Sequence, residues 1–234
     1  MQYQVSPAHL PMTNMKSLSK TAVHFTFKYW PAWVALAAAA AILWSVNAYQ
    51  HRLVRRVPAK NPVAAQILRG AKAQIGTRYD ASYQRLAYPG GDMPDRTGAC
   101  TDIVIRALRS AGWDLQVLVH EDMAAHSDHY PRRRDEPTLD TSIDHRRVPN
   151  LACYLSRHAA VLTRNVEPNL RSEWQPGDIV VWKTVFGRDH IGLISDGIDA
   201  SGLPLVIHNE YGCVEESCLT RWRIVGHYRI PSRL

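Results

Sequence analysis

One cysteine lies where a nucleophile would be expected. Cys100 follows a stretch rich in turn-forming residues, 89–98, and precedes apolar residues with the spacing of one helix face, namely Val104, Ala107, Leu108 and Ala111. Its thiol is therefore expected in the first turn of a helix, where unpaired backbone N–H groups and the helix dipole favour the reactive thiolate. Asp102 in the same turn opposes this effect unless it caps the helix. The alternative interpretation is a buried structural cysteine.

Two histidines are candidates for the base that a thiol nucleophile requires. Such a base must lie within hydrogen-bond reach of the thiol and must be oriented by a third group. His190 opens one short apolar run, and His208 closes another. If these runs form adjacent antiparallel strands in the correct register, the two imidazoles lie side by side. A histidine on a strand is more often structural, so the pair needs support from the surrounding pattern.

The elements around these residues are helices first and strands afterwards. Asn61-Pro62 has the form of an N-cap followed by proline at N1, and it predicts a helix that Gly76 ends. Short β runs separated by turn residues fill the C-terminal third, at residues 179–182, 191–194, 205–207 and 223–229. This order predicts an α+β domain in which N-terminal helices pack on an antiparallel sheet.

The middle of the chain has weaker patterns. Residues 115–119 predict a short strand, and residues 150–161 predict a short helix. The segment between them, residues 121–150, is charged and irregular, and we expect it to form a solvated surface.

The first 60 residues have a composition of their own. Residues 1–29 predict a disordered leader, residues 30–49 a transmembrane or signal-anchor helix, and residues 50–60 a linker to a domain that covers residues 61–234. The run 30–49 has no charged residue and has aromatic residues at both ends, as membrane-spanning helices do. We therefore expect a protein that is anchored in the inner membrane or secreted, with its domain in the periplasm. Flanking charges do not settle the orientation, and cleavage of the helix stays open.

The net charge of +7 does not indicate a nucleic-acid partner. Residues 1–56 hold six of the 28 basic residues and none of the 21 acidic ones, which leaves 22 basic against 21 acidic residues in the remainder. The domain thus lacks the basic excess that nucleic-acid binding requires.

The four cysteines show no C-x-x-C spacing, so no structural zinc site, and neither metal nor cofactor, is expected. Cys213 and Cys218 are close enough in sequence for a small-loop disulfide outside the cytoplasm. The pairing stays open at this stage. A Cys100–Cys153 bridge would exclude the nucleophile.

Three segments together resemble the NlpC-type cell-wall cysteine peptidases: the turn and strand of residues 174–182, the strand of residues 189–194, and residues 206–208. Those enzymes have a papain-like, circularly rearranged α+β core. The resemblance implies that Cys100 is the nucleophile, His190 the base and His208 the orienting residue, with Asn209 as the alternative orienting residue. It also implies a thiol hydrolase of amide bonds that acts on peptidoglycan stem peptides as an endopeptidase or amidase.

The chain departs from that pattern at the nucleophile, where Ala99-Cys100-Thr101 replaces the usual Asp-Cys-Ser. A closer resemblance is to the bacterial family known as domain of unknown function 1287, through residues 88–92, 100–102, 120–123, 143–150 and 226–229. From these resemblances the candidate substrate-binding residues are Tyr79, Tyr88, Asp102 and His145, and Tyr83 is a further match for the tyrosine that precedes the nucleophile.

Three other functions stay open. A transglutaminase-like cysteine protease would need His208 or Asn209 in place of its aspartate. A metal-dependent hydrolase would use the ligand-capable residues His120, Glu121, Asp122, His126, His129 and His145, which lack an H-E-x-x-H pattern. A non-catalytic, membrane-tethered wall-binding module could keep the same fold and line a groove with His120, His145 and Arg146.

Overall fold

The computed structural model describes residues 32–44, 54–131 and 138–232. The chain divides into two compact units, Met1–Arg52 and Leu53–Leu234. In the first unit the described residues form one helix, α1, over residues 32–44. No helix among the described residues is both long and apolar enough to cross a membrane. The leader predicted at residues 1–29 lies outside the described residues, as do the ends of the predicted span 30–49.

Four further helices belong to the second unit: α2 (Pro62–Lys72), α3 (Cys100–Arg109), α4 (Leu115–Ala125) and α5 (Val148–His158). Short 3-10 helices cover Ser127–His129, Asp144–Arg146 and Pro168–Glu173. Helix α2 begins as its sequence predicts, because the side chain of Asn61 accepts a hydrogen bond from the Ala64 N–H at 2.8 Å. The helix predicted at residues 150–161 is also present, as α5.

The strands are β1 (Arg55–Arg56), β2 (Arg78–Tyr79), β3 (Thr97–Gly98), β4 (Ala160–Val161), β5 (Ile179–Lys183), β6 (Asp189–Ile198), β7 (Pro204–Asn209), β8 (Cys213–Glu216) and β9 (Arg223–Arg229). In the described residues they form an antiparallel sheet in the order β4-β9-β5-β6-β7-β8, with β1 paired to β6. Strands β2 and β3 pair separately and in parallel. The predicted α+β class with an antiparallel sheet is confirmed, and part of the predicted linker is a strand of that sheet.

Both faces of the sheet are covered. On one face Ile179 and Val181 of β5 pack into the main core with helices α2, α3 and α5. On the other face Val180 and Trp182 pack into a second cluster with the loop that contains Leu219. Because neighbouring residues of a strand point to opposite faces, all four residues are buried.

Two predictions for the middle of the chain are wrong. Residues 115–119 belong to helix α4, which begins where Asp114 accepts a hydrogen bond from the Gln116 N–H at 3.1 Å. The short alternation of apolar residues resembles a strand, whereas the cap and the buried face of α4 extend beyond it. The segment 121–150 is not a solvated surface throughout, because Asp122, His145 and Arg146 are buried.

Candidate active site

Cys100 is the first residue of α3, as predicted, and only 7% of its surface is exposed. Strand β3 leads into it, and the turn is tight. A side chain at Gly98 would place a Cβ atom 2.7 Å from the Cβ of Asp102, so a residue without a side chain is required there. The Ala99 N–H donates to Asp102 Oδ2 at 2.6 Å, which caps the helix.

Asp102 supports this helix end through a second contact. Its carboxylate accepts two hydrogen bonds from the Arg146 guanidinium, at 2.8 and 3.1 Å, and both side chains are almost fully buried. Arg146 also donates to the Ser82 carbonyl at 3.1 Å. The structure therefore places Asp102, a candidate substrate-binding residue in the sequence, as a support for the Cys100 turn.

Asn209, the alternative orienting residue, also supports this turn. Its Nδ2 donates to the Gly98 carbonyl at 2.8 Å, and its side chain makes no hydrogen bond to either histidine of the sheet within the described residues. The structure thus brings His208, rather than Asn209, to His190.

His190 and His208 lie side by side on β6 and β7. The strands are antiparallel, with Gly192 opposite His208, and His190 Nε2 lies 2.9 Å from His208 Nδ1. The rings of Trp182 and Trp222 enclose the pair, at centroid distances of 5.7 and 5.1 Å from His190. This burial, with the neighbouring His208 and Arg221, lowers the pKa of His190 to about 3.

Glu216 on β8 extends the chain of contacts, and the sequence pattern alone does not select it. Its Oε1 lies 2.8 Å from His208 Nε2 and accepts a 2.7 Å hydrogen bond from Arg221 Nη1. The Arg221 hydrogen bond is the main reason that the pKa of Glu216 is lowered. The sequence feature that could have indicated it is the short turn after β7, residues 210–212, which contains Gly212 and lets β8 pair with β7.

These contacts determine where the protons lie on both imidazoles. A carboxylate only accepts hydrogen bonds, so His208 carries its proton on Nε2 and donates to Glu216. Burial lowers the pKa of His208, so its Nδ1 is bare and accepts from the His190 Nε2–H. The unprotonated nitrogen of neutral His190 is then Nδ1, the atom available as a base.

The thiol is close to the strand that carries His190, since the backbone N–H of Ile191, the residue after His190, lowers the pKa of Cys100. No direct hydrogen bond joins Cys100 to His190 among the described residues. Burial raises the pKa of Cys100 to about 11 and outweighs the backbone N–H groups of Ile191 and the helix terminus, which lower it. The prediction that Cys100 is a thiolate is therefore wrong. At neutral pH the Cys100 thiol and the His190 imidazole are both uncharged.

All four cysteines are free, Cys213 and Cys218 included. The nucleophile candidate is thus not consumed by a disulfide. His208, Glu216 and Cys218 place one ligand-capable atom each within 4.8 Å of one another. Their donor types would suit zinc, but the Arg221 cation already occupies Glu216.

Comparison with known proteins shows the family to which the chain belongs. Residues 68–230 match the family described as Domain of unknown function (DUF1287). The chain belongs to this family. It is 51% identical, over 163 residues, to the uncharacterised protein YijF of Escherichia coli strain K12, a match that covers 68% of this chain and 78% of YijF.

Two solved structures resemble the chain more distantly. NlpC1 from Trichomonas vaginalis has a TM-score of 0.40 at 14% identity over 75% of this chain and 46% of its own, so the chain spans less than half of that protein. An N-acetylmuramoyl-L-alanine amidase from Bacteroides uniformis has a TM-score of 0.44 at 14% identity, over 72% of this chain and 99% of its own.

The tyrosines that the sequence singles out lie in different places. Tyr79 pairs with Gly98 across β2 and β3, and burial together with the nearby Cys100 raises its pKa. Tyr83 donates to Asp140 at 3.1 Å, and Tyr88 packs against His120 at a centroid distance of 5.4 Å. Tyr79 is therefore the tyrosine that the structure brings to the thiol.

His145, the remaining candidate substrate-binding residue, precedes Arg146, whose guanidinium binds Asp102. The His145 side chain is buried, and its pKa is lowered to about 4 by burial and by the charges of Arg146 and Arg109.

Proposed function

We propose that this protein is a thiol hydrolase of amide bonds and that its substrates are peptidoglycan stem peptides. The observation that carries the proposal is the hydrogen-bonded series His190–His208–Glu216. A free cysteine begins helix α3, which packs against the strand that carries His190. A buried imidazole with one bare nitrogen and a fixed ring is the arrangement that general-base catalysis needs. The substrate class follows from the resemblance of the sequence to the NlpC-type cell-wall peptidases.

The reaction starts from the neutral pair. Cys100 Sγ attacks the amide carbonyl while its proton passes to His190 Nδ1, and the backbone N–H of Cys100 stabilises the oxyanion. The His190 imidazolium then protonates the amine as the C–N bond breaks, which leaves a thioester. Water, deprotonated by His190, cleaves the thioester to a carboxylic acid and restores the thiol.

His208 fixes the orientation of the His190 ring by accepting a hydrogen bond at Nδ1. The Nε2–H of His208 donates to the Glu216 carboxylate. The pair of histidines shares the positive charge of the intermediate with the Glu216 carboxylate at 2.8 Å. A peptidoglycan substrate also requires the domain to lie outside the cytoplasm, and the composition of residues 30–49 supports that part of the proposal.

The test is hydrolysis by the full chain of purified peptidoglycan and of synthetic stem peptides, with products identified by mass spectrometry. We expect cleavage that is lost in Cys100→Ala and kept in Cys153→Ala, which removes a thiol from α5 instead. Product masses distinguish release of the whole peptide from muramic acid, as by an amidase, from cleavage within the peptide. Full activity of Cys100→Ala would refute the proposal.

One observation favours a second function, a wall-binding module without catalysis. The Cys100 thiol is buried and its pKa is raised, as in structural cysteines. Stem-peptide binding by the wild-type chain with no product after prolonged incubation would establish that function instead.

A further inference from the structure

A cavity of about 710 Å³ opens beside the two histidines of the candidate site. Its walls are the hairpin that joins β5 to β6, the start of β9 and the loop before β9. The side chains that matter for its chemistry are Lys183, Arg221, Trp222 and Arg223. Three of these four side chains are cations.

The cavity and the histidines share a wall. The Trp222 ring lines the cavity and also lies 5.1 and 6.2 Å, between ring centroids, from His190 and His208. Arg221, another lining residue, binds the same Glu216 oxygen that accepts from His208. A ligand in the cavity is therefore separated from the two histidines by the Trp222 ring, and the simplest occupant is another part of the molecule that Cys100 attacks.

The positive charge of the cavity is only partly compensated. Lys183 pairs with Asp189 at 2.7 Å, and Arg221 pairs with Glu216 and, at 3.6 Å, with Glu210. The exposed Arg223 side chain makes no ion pair or side-chain hydrogen bond with any described residue. Its five N–H donors are free to bind an anion, and most donors of Arg221 are free as well.

The geometry of these donors suits a carboxylate. Arg221 and Arg223, which flank Trp222 in the sequence, present planar guanidinium forks that match the two oxygens of a carboxylate. The Arg221 guanidinium carbon lies 5.3 Å from the centre of the Trp222 ring, a cation–π contact that holds it in place. The cavity volume falls in the range of ligand pockets, which run from about 300 to 1,000 Å³.

We propose that this cavity, lined by Lys183, Arg221, Trp222 and Arg223, is a subsite for a carboxylate of the substrate. The substrate is then an anionic peptide with a free carboxylate near the scissile amide bond. This proposal deepens the proposed function and rests on it for the identity of the substrate.

The experiment measures binding and hydrolysis separately. The full chain carrying Cys100→Ala, which keeps the substrate intact, is titrated by calorimetry with a stem peptide and with the same peptide whose carboxylates are amidated. We expect amidation to weaken binding about tenfold or more, the size of one lost charged hydrogen bond. Adding Arg223→Ala should reduce the difference between the two peptides to less than about twofold, whereas adding Arg69→Ala, an exposed arginine on α2, should leave it unchanged.

Several results would overturn the subsite. They are equal affinity for both peptides, a preference that survives Arg223→Ala, binding of neither peptide, and inorganic phosphate alone binding as tightly as the peptide. Hydrolysis by the chain without the Cys100 substitution is assayed in parallel. Charge-dependent binding with no hydrolysis would support the subsite and refute the proposed catalysis, so the two failures are distinguishable.

Discussion

Two carboxylates lie close to the candidate site, and their surroundings differ. Asp102 is buried, and its two oxygens are taken up by the Ala99 N–H and by the forked Arg146 guanidinium. Glu216 is about one third exposed and holds one imidazole and one guanidinium through a single oxygen, Oε1. The Asp102 carboxylate has no oxygen left for a further partner, so its role is structural. The partly exposed Glu216 carboxylate can stabilise a positive charge on the histidines, as the proposed mechanism requires.

The same difference affects the nucleophile. The Asp102 charge raises the pKa of Cys100, after the larger effect of burial. Asp102 therefore stabilises the helix end on which the thiol lies at the expense of thiolate formation. In the proposed mechanism the thiol therefore needs a base at the moment of attack. That base, His190, is linked through His208 to a carboxylate of its own, Glu216 on β8.

The largest expected effect is on stability, in Asp102→Asn. The change leaves the Arg146 guanidinium buried without an anion, and breaking such a pair costs about 3 to 5 kcal/mol of the free energy of unfolding. Urea unfolding followed by circular dichroism measures it. The matched control is Asp92→Asn, whose ion pair with Arg106 is more exposed and is expected to contribute at most about 1 kcal/mol. Similar losses in the two variants would remove the distinction drawn for Asp102.

The next effect is on activity, in Glu216→Gln. Glutamine can present either its oxygen or its amide N–H to His208, so the proton positions on both imidazoles are no longer fixed. We expect kcat to fall about tenfold to a hundredfold, as for other partners that orient a functional histidine, while the free energy of unfolding changes by less than about 1 kcal/mol.

Glu210→Gln is the matched control for that variant, since Glu210 also approaches Arg221 but is not bonded to His208. A positioning role predicts that Glu216→Gln alters the pH profile of kcat and that Glu216→Asp restores part of the activity. Equal activity of the Glu216→Gln and Glu210→Gln proteins would show that the link to His208 has no role in the reaction.

The sequence predicts the groups that local patterns encode and misses those that depend on distant partners. Helix α2 and strands β5, β6, β7 and β9 follow from caps, turns and alternation, and Cys100 is correctly placed at the start of α3. The Asp102–Arg146 pair joins residues 44 positions apart, so no local pattern reveals it. Glu216 lies on a four-residue strand whose polar residues read as solvent-exposed.

The smallest expected effect near neutral pH concerns His145, the residue before Arg146. It tests the surroundings of the buried Asp102–Arg146 pair. Its pKa is lowered from 6.5 to about 4 in the folded protein, so between these values the unfolded chain binds a proton that the folded chain does not. Stability is therefore lost as the pH falls from 6.5 towards 4, at up to about 1.4 kcal/mol per pH unit for this one group. His190, with a pKa of about 3, contributes in the same direction.

We expect His145→Gln to reduce the slope of unfolding free energy against pH by about one proton and to leave the contribution of His190. Urea unfolding at pH 7, 6, 5 and 4.5 measures the slope, and the NMR titration of the His145 ring in the wild-type chain gives its folded pKa directly. Parallel curves for the two proteins, or a His145 ring that titrates near 6.5, would show that burial does not disfavour the charged form of His145. The surroundings of the Asp102–Arg146 pair would then accept a further charge as readily as the surroundings of Glu216.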